Sequence, residues 1–392
     1  MNWEEKISKK VRDTPPSGIR KFFDIVNEMD DAISLGVGEP DFVTPWNIRE
    51  ASIHSIEKGM TYYTSNWGMI ELREAISKYL KERFHISYDP KDEILVTVGA
   101  SEGIDLALRT IIEPGDEVLI PDPSYVSYMP CVKMAGGEAV PVICTAEDEF
   151  KLTPEHLKEK ITKKTKALIL PYPNNPTGGI MDRADLLAIA DVIRDTDIIV
   201  ISDEIYAELT YNGRHTSFAS IPDMKERTIV LNGFSKAFAM TGWRLGYAAG
   251  NTSFIRAMVK IHQYTMLCAP IMSQVAGLEA LRSGFEEDFK TVRDMVKEYN
   301  YRRRVILKGF RDMGLECFEP LGAFYVFPSI EKTGMTSDEF CERLLMEEKV
   351  AVVPGNAFGE SGEGFIRCSY ACSIENINRA LNRIGNFITK HI

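Results

Sequence analysis

Cysteine, histidine and long apolar runs are all scarce in this sequence. Its 392 residues include seven cysteines without a C-x-x-C pair, and six histidines without an H-E-x-x-H or similar spacing. This usage argues against a disulfide framework and against a protein metal site, and it suits a reducing compartment. No apolar run approaches the roughly 20 residues of a membrane helix, and the charged N-terminus lacks the apolar core of a signal peptide. We therefore expect a cytoplasmic protein without a metal site.

Basic residues are outnumbered by acidic ones. The chain has 46 Lys and Arg against 57 Asp and Glu, which gives a formal net charge of −11. Such a balance argues against a general binder of nucleic acids or of anionic membranes. A cleft can carry the opposite sign to the whole surface, so anionic small substrates are not excluded. Small molecules are the expected partners.

What the sequence does contain is a regular alternation of short apolar runs and amphipathic stretches. Three of the runs (ALIL, IIVI and IVL) are uninterrupted, as expected for strands that are covered on both faces. Within residues 104–112, Ile104, Leu108 and Ile111 recur at the spacing of one helix face. The alternation predicts an α/β fold with a mostly parallel sheet. The predicted strands are residues 94–98, 118–120, 167–170, 198–201, 229–231 and 245–249.

The last third of the chain differs in composition, because it begins with a charged helical stretch at residues 286–311. This change predicts a smaller α/β domain that is joined to the first through a long helix. We assign residues 46–289 to a large domain, and residues 1–45 and 290–392 to a small one. Strand-like runs of the small domain are residues 323–327, 350–353 and 365–370, and a terminal helix follows them.

Polar residues follow directly on several of the predicted strands. In open α/β sheets, ligands bind beyond the carboxyl ends of the strands, so these are candidate site residues. Each alone has an ordinary interpretation, because an aspartate there is often a helix cap, Asn-Pro-Thr-Gly is a turn, and a lone lysine is usually solvated. Their combination is what indicates a site. The candidates are Ser101, Asn175, Asp203 with Tyr206 three residues further on, and Ser235 with Lys236.

Residues 231–246 (LNGFSKAFAMTGWRLG) resemble the cofactor-attachment signature of the class I/II aminotransferases. The signature has small residues three before and one before a lysine, and an arginine eight after it, which Gly233, Ser235, Lys236 and Arg244 satisfy. The resemblance implies an aspartate-aminotransferase-like fold type I, with a seven-stranded, mostly parallel sheet in a large domain and a smaller C-terminal α/β domain. It extends in order over nearly the whole chain. Its further motifs are LGVGEPDF (residues 35–42), NPTG (175–178), SDEIY (202–206) and FIRCSY (365–370).

The resemblance implies a set of roles around the family's cofactor, pyridoxal 5′-phosphate. Lys236 would bind the cofactor covalently through its amino group and carry a proton during catalysis. A lysine can do so only if it is neutral for part of the time, which burial and a nearby cation favour. Asp203 would keep the ring nitrogen protonated, while Tyr206 and Asn175 would hydrogen-bond the ring oxygen. Tyr125 would stack on the ring.

The resemblance also implies which residues bind the cofactor phosphate. Arg244 and Ser235 would contact it, together with the free N–H groups of a helix that begins near Ala100 and Ser101. Tyr63 is similar to a family tyrosine that reaches the phosphate of the neighbouring subunit, so a homodimer is implied.

Arg367 is implied as the residue that binds the substrate α-carboxylate through two parallel hydrogen bonds. The backbone at Gly38 and the side chain of Asn175 would help it. An arginine inside an otherwise apolar strand is hard to explain in another way.

Other functions are compatible with parts of the sequence. Gly99–Gly103 reads G-x-S-x-G between a strand and a helix, so Ser101, Asp203 and His262 could form the triad of an α/β-hydrolase. That alternative leaves Lys236 and Arg244 without a role. A non-catalytic regulator of the same fold would need a DNA-binding module and a linker, and about 35 residues before the first motif are too few. β-Elimination of cysteine-type substrates would use the same lysine and stays open.

The substrate side chain is the least defined part of the prediction. Some aspartate-specific members of the family carry a lysine at the position of Ser101, which is absent here. Residues 262–270 (HQYTMLCAP), which in this family can approach the partner's site, contain no arginine. Arg20 near the N-terminus is a basic residue that could reach the site. We expect an aromatic or broad-range neutral L-amino acid as donor and 2-oxoglutarate as acceptor, with aspartate or alanine as alternative donors.

Overall fold

The computed structural model describes residues 3–16, 29 and 31–391, and the elements named here belong to those residues. The strands are β1 Ile33–Ser34, β2 Ile94–Thr97, β3 Glu117–Asp122, β4 Glu138–Ile143, β5 Thr165–Leu170, β6 Ile199–Asp203, β7 Thr228–Gly233, β8 Gly246–Ala249, β9 Tyr325–Val326, β10 Val350–Ala351, β11 Val353–Pro354 and β12 Ile366–Ser369. The α-helices are α1 Lys9–Arg12, α2 Trp46–Glu57, α3 Ile70–Phe84, α4 Gly99–Ile111, α5 Tyr128–Ala135, α6 Pro154–Lys160, α7 Arg183–Ile193, α8 Thr252–Thr265, α9 Ile271–Glu286, α10 Lys290–Asp312, α11 Ser337–Glu348 and α12 Ile374–His391.

Seven strands form one sheet, in the order β2-β8-β7-β6-β5-β3-β4. β8 runs antiparallel to β2 and β7, and the other neighbouring pairs are parallel. The predicted mostly parallel sheet is confirmed, and it contains all six predicted strands. The seventh strand, β4, was not predicted because its sequence EAVPVI has no continuous apolar run. It lies at the sheet edge, where one side is unpaired and a residue such as Pro141 is tolerated.

Successive residues of the central strands pack on opposite faces of the sheet. Ile169 of β5 lies in one hydrophobic cluster with Leu108 of α4, whereas its neighbour Leu168 lies in another with Ile189 of α7. The three apolar residues predicted on one face of the helix at residues 104–112 are all buried, as expected. Helices therefore cover both faces, and the open edge that remains for a ligand is the one at the strand ends.

The C-terminal third confirms the predicted elements with changed boundaries. The single helical stretch predicted at residues 286–311 is wrong at its start, because Glu286 ends α9 and α10 begins only at Lys290. Asp288 and Phe289 between them have positive φ values of 49° and 52°, which are incompatible with a right-handed helix. The run predicted at residues 350–353 forms two short strands, β10 and β11.

Two small sheets involve the last third of the chain, and one of them also includes the N-terminal segment. β1 pairs in parallel with β10, and β11, β12 and β9 form an antiparallel sheet in that order. The pairing of β1 with β10 supports grouping the N-terminal segment with the C-terminal part, although the division at residues 45 and 289 stays a prediction. None of the helices within the described part of the chain is both long and apolar enough to cross a bilayer.

Candidate active site

A cavity of about 350 Å³ lies beyond the carboxyl ends of β5, β6 and β7. The three strands run parallel, so the residues that follow them arrive at the same edge of the sheet. The cavity brings together every predicted site residue except Tyr63. Those that line it are Gly38, Ala100, Ser101, Tyr125, Asn175, Asp203, Tyr206, Ser235, Lys236, Arg244 and Arg367.

Lys236 lies at the centre of this cavity. Its Nζ donates a hydrogen bond to the carbonyl of Gly38 at 2.6 Å, and it lies 5.6 Å from the ring centroid of Tyr206. Burial lowers the pKa of Lys236 to about 8; the negative charge of Glu39 opposes this shift, and the positive charges of Arg367 and Arg244 reinforce it. The amine can therefore lose its proton at a pH where an ordinary lysine stays charged.

Asp203, the last residue of β6, is a buried carboxylate on the same side of the sheet. It accepts hydrogen bonds from the Tyr128 hydroxyl at 2.7 Å and from the Ile205 amide at 3.2 Å. Burial raises the pKa of Asp203 to about 6, and the bond from Tyr128 opposes that rise. Tyr128 was missed by sequence reasoning. It stands three residues after Tyr125 in the DPSYVSY segment, and that spacing was the available signal.

Arg367 is 2% exposed and brings a positive charge into the cavity wall. One guanidinium nitrogen donates to Asn175 Oδ1 at 2.9 Å and another to the carbonyl of Gly36 at 2.5 Å. The guanidinium lies 4.5 Å from the ring centroid of Tyr325. Among the described residues it has no carboxylate within ion-pair distance, and its Nε has no hydrogen-bond partner. A buried, unneutralised cation of this kind favours an anionic ligand.

Tyr325 is a second residue that sequence reasoning missed. Its hydroxyl lies 2.9 Å from the hydroxyl of Tyr206. A Cβ atom at Gly38 would lie only 2.8 Å from the same hydroxyl, so the chain passes Tyr325 too closely for any side chain at position 38. Nothing in the sequence around residue 325 distinguishes this tyrosine from a core aromatic residue. Its contact with Tyr206 depends on the packing of the small sheet against the large one.

A turn at residues 99–101 opens α4 at the edge of the cavity. The first N–H groups of a helix lack intrahelical acceptors and are suited to bind an anion. Gly99 has a φ of 76°, and a Cβ atom there would lie 2.8 Å from the guanidinium of Arg244. Arg244 is exposed, its Nη1 donates to the Thr241 carbonyl at 3.1 Å, and no described carboxylate pairs with it. Ser235 is buried nearby.

The hydrolase triad considered from the sequence is wrong. His262 is fully buried, and its Nδ1 lies 2.7 Å from Oε1 of Glu102, whereas Ser101 is exposed. Neighbouring residues of a helix point about 100° apart, so an imidazole that meets Glu102 does not also meet Ser101. Asp203 is hydrogen-bonded to Tyr128 instead.

Tyr63 is the predicted site residue that the structure does not bring to the cavity of its own chain. Its side chain is 78% exposed. Tyr264 is 86% exposed and Met266 50%, both in the segment that was predicted to approach a partner. Arg20 lies outside the described residues.

Comparison with known proteins agrees with this geometry. Residues 30–384 match the family model "Aminotransferase class I and II". The aspartate aminotransferase of Pyrococcus abyssi is 49% identical, over 94% of this chain and 95% of that protein. Aromatic-amino-acid aminotransferase 2 of Thermococcus litoralis is 44% identical, over 96% and 97%. The crystal structure of an aromatic aminotransferase from Pyrococcus horikoshii superposes with a TM-score of 0.90 at 46% identity, covering 94% of this chain and 99% of that one.

The family, the fold and the cavity agree with one another. The seven-stranded sheet is the large sheet of fold type I, and Lys236, the lysine of the signature-like segment, lines the cavity. The chain therefore belongs to the class I and II aminotransferases, which transfer amino groups with pyridoxal phosphate as cofactor.

Proposed function

We propose that this aminotransferase moves the amino group of an aromatic or other neutral L-amino acid to 2-oxoglutarate, in the cavity around Lys236. The observation that carries the proposal is the lysine itself. It shares the cavity with a buried carboxylate, Asp203, and a buried arginine, Arg367, and its pKa is lowered to about 8.

The donor set of the cavity fits pyridoxal phosphate. The cofactor offers an aldehyde for the amine of Lys236, a basic ring nitrogen for the carboxylate of Asp203, and a phosphate for Arg244 and Ser235. When bound, it withdraws electrons from the bond between the substrate α-carbon and its hydrogen. Among the described lining residues, Arg367 is the cation to which this assignment gives no cofactor group, and it suits the substrate α-carboxylate.

Lys236 is the residue that we propose to bind the cofactor and to move the proton. With a pKa of about 8, about one amine in ten is neutral at pH 7, against about one in three thousand for an ordinary lysine. Its neutral Nζ would take the proton from the substrate α-carbon and pass it to the carbon of the cofactor aldehyde, as the transfer of an amino group requires. The carbonyl of Gly38 accepts a hydrogen bond from Nζ and so fixes the direction of the side chain.

The remaining wall residues orient the cofactor and the substrate. Tyr125 would stack on the ring, and Tyr206 and Asn175 would hydrogen-bond its phenolic oxygen; all three line the cavity. The amides near Ala100 and Ser101 contribute to the phosphate site. Gly38 lines the cavity beside Arg367, and the hydrogen bond to Asn175 holds the guanidinium of Arg367 in place before the substrate arrives. Such preorganisation reduces the entropy lost on binding.

The charges around the cavity support a neutral donor. Among the described residues that line it, the cations are Lys236, Arg244 and Arg367, and each already has a role. The next charged group at the mouth is Glu39, which would repel the distal carboxylate of aspartate. The named relatives divide between aspartate and aromatic donors. Because 2-oxoglutarate also carries a distal carboxylate, Arg20 stays a candidate for binding it, and aspartate stays the alternative donor.

We also propose a homodimer in the cytoplasm. The side chains of Tyr63 and Tyr264 are 78% and 86% exposed in the single chain, so both are available to contact a second subunit. All seven cysteines are free, which suits a reducing compartment. Cell fractionation should find the protein with cytosolic markers and not in an exported fraction.

The lysine is tested by Lys236→Arg. Arginine keeps the positive charge but cannot become neutral, so transamination should fall by at least about a thousandfold. Borohydride reduction of the wild-type holoenzyme should attach the yellow cofactor covalently to the peptide that contains Lys236, and the variant should show no such adduct. Attachment at any other lysine would overturn the proposal.

The carboxylate is tested through the pH dependence of cofactor binding. Protonation of Asp203 removes the partner of the ring nitrogen, so the affinity of the cofactor-free protein for pyridoxal phosphate should fall as pH drops through about 6. Tyr128→Phe removes a hydrogen bond that favours the ionised carboxylate, so the midpoint should move up by roughly 0.5–1 pH unit. Spectroscopic titration of both proteins measures it. Tyr125→Phe is the control, and equal midpoints in all three proteins would contradict the role of Tyr128.

Donor specificity is tested with a panel of amino acids against 2-oxoglutarate and pyruvate. Tyrosine or phenylalanine should exceed aspartate in kcat/KM by at least about tenfold, because a distal carboxylate meets no free cation in the described cavity. A preference for aspartate would show that an arginine outside the described residues completes the site. Release of pyruvate and ammonia from cysteine without any oxo acid would identify β-elimination instead.

The contribution of Tyr63 across the interface is tested by mixing two defective proteins. Tyr63→Ala should weaken cofactor binding about tenfold, and Lys236→Ala should abolish the reaction. If Tyr63 acts on the partner, a hybrid dimer of the two variants has one fully wild-type site, so activity and tight binding should return after refolding them together. No recovery in hybrids that form would mean that Tyr63 serves its own chain or neither.

A further inference from the structure

A buried pair formed by Glu102 and His262 lies behind the turn at residues 99–101 and takes no part in the reaction described above. We propose that this pair is a positioning device, which holds the turn in the geometry that binds the cofactor phosphate. The inference rests on the proposed location of the phosphate site. It concerns residues that do not touch the cofactor.

The pair connects a helix on the face of the sheet to the backbone of the turn. His262, near the end of α8, lies 2.7 Å from Oε1 of Glu102 through its Nδ1. The other carboxylate oxygen of Glu102 accepts a hydrogen bond from the amide of Val98 at 2.5 Å. Val98 directly precedes the turn, so one carboxylate fixes both the start of α4 and its packing against α8.

The turn has little freedom to move on its other sides. The hydroxyl of Thr97 donates to the carbonyl of Gly99 at 2.8 Å. On the sheet side, a Cβ atom at Gly246 would lie 2.5 Å from the amide nitrogen of Ala100. The close contacts with Arg244 and with Gly246 of the sheet therefore limit how near the turn can lie to either of them. Glu102 and His262 fix it from behind.

Burying this pair costs desolvation free energy. We therefore infer that the pair serves to orient the turn and not to stabilise the core. His262 is fully buried, and its Nε2 has no hydrogen-bond partner among the described residues. An apolar pair of the same volume would avoid the cost of burying a carboxylate and an imidazole. Apolar side chains, however, could not bind the Val98 amide. They also could not pair with the Glu102 carboxylate, as His262 does, and so keep its charge away from the phosphate.

The test compares cofactor-free wild-type protein with His262→Leu, and titrates each with pyridoxal phosphate and with pyridoxal, which lacks the phosphate. His262→Leu should raise the dissociation constant for pyridoxal phosphate about tenfold, as expected when one buried hydrogen bond at a site is lost. The dissociation constant for pyridoxal should not change. His262→Asn, which can still donate to Glu102, should restore most of the phosphate-dependent affinity.

The matched control is Tyr79→Phe. It removes another buried hydrogen bond to a carboxylate, from Tyr79 to Glu208 at 2.7 Å, remote from the turn. It should lower the melting temperature without changing the ratio of the two dissociation constants.

Equal weakening of both aldehydes by His262→Leu, or no weakening of either, would overturn the inference while the proposed function stands. If His262→Leu does not fold, the same comparison is made with Glu102→Ala, which removes both hydrogen bonds and should weaken pyridoxal phosphate but not pyridoxal. Wild-type protein that fails to bind pyridoxal phosphate at Lys236 would overturn the proposed function and this inference together.

Discussion

Parallel strands deliver their last residues to a common edge, and the whole active site depends on that constraint. Asn175 follows β5, Asp203 ends β6 and Lys236 follows β7. The direction of the strands is therefore enough to bring an amide, a carboxylate and an amine into one cavity. Burial then sets their chemistry. The same loss of water that lowers the pKa of Lys236 to about 8 raises that of Asp203 to about 6, which brings the two groups close to neutral pH from opposite sides.

The site also needs chain that is far away in sequence. Arg367 comes from β12 of the small antiparallel sheet, and Gly38 from the segment that follows β1. The pairing of β1 with β10 ties that segment to the C-terminal part. If Arg367 and Lys236 have the proposed roles, a substrate contacts both parts of the chain, and its binding free energy depends on how those parts pack.

Sequence reasoning was successful where a physical rule is local. Uninterrupted apolar runs identified the buried strands, and the residues after them identified the cavity, because both follow from the periodicity and direction of a parallel sheet. The order of family motifs supplied the cofactor and the residue roles, which periodicity alone could not. β4 escaped because an edge strand needs no continuous apolar run, and the break before α10 escaped because Asp288 and Phe289 carry no glycine signal. Sequence reasoning missed Tyr128 and Tyr325 for another reason, since their contacts with site residues form only when separate elements pack.

The close contact between Gly38 and Tyr325 has a practical consequence for changing which substrates this enzyme accepts. A side chain there would require the buried hydroxyl of Tyr325 to shift, so enlarging position 38 also disturbs the contact between Tyr325 and Tyr206. The exposed carboxylate of Glu39, which accepts a hydrogen bond from Thr241 at 3.0 Å, is a lining residue whose charge can be changed, although its negative charge also raises the pKa of Lys236. Selectivity is therefore easier to change at the entrance, through the charge at position 39, than at the base of the cavity, where Tyr325 packs against Gly38.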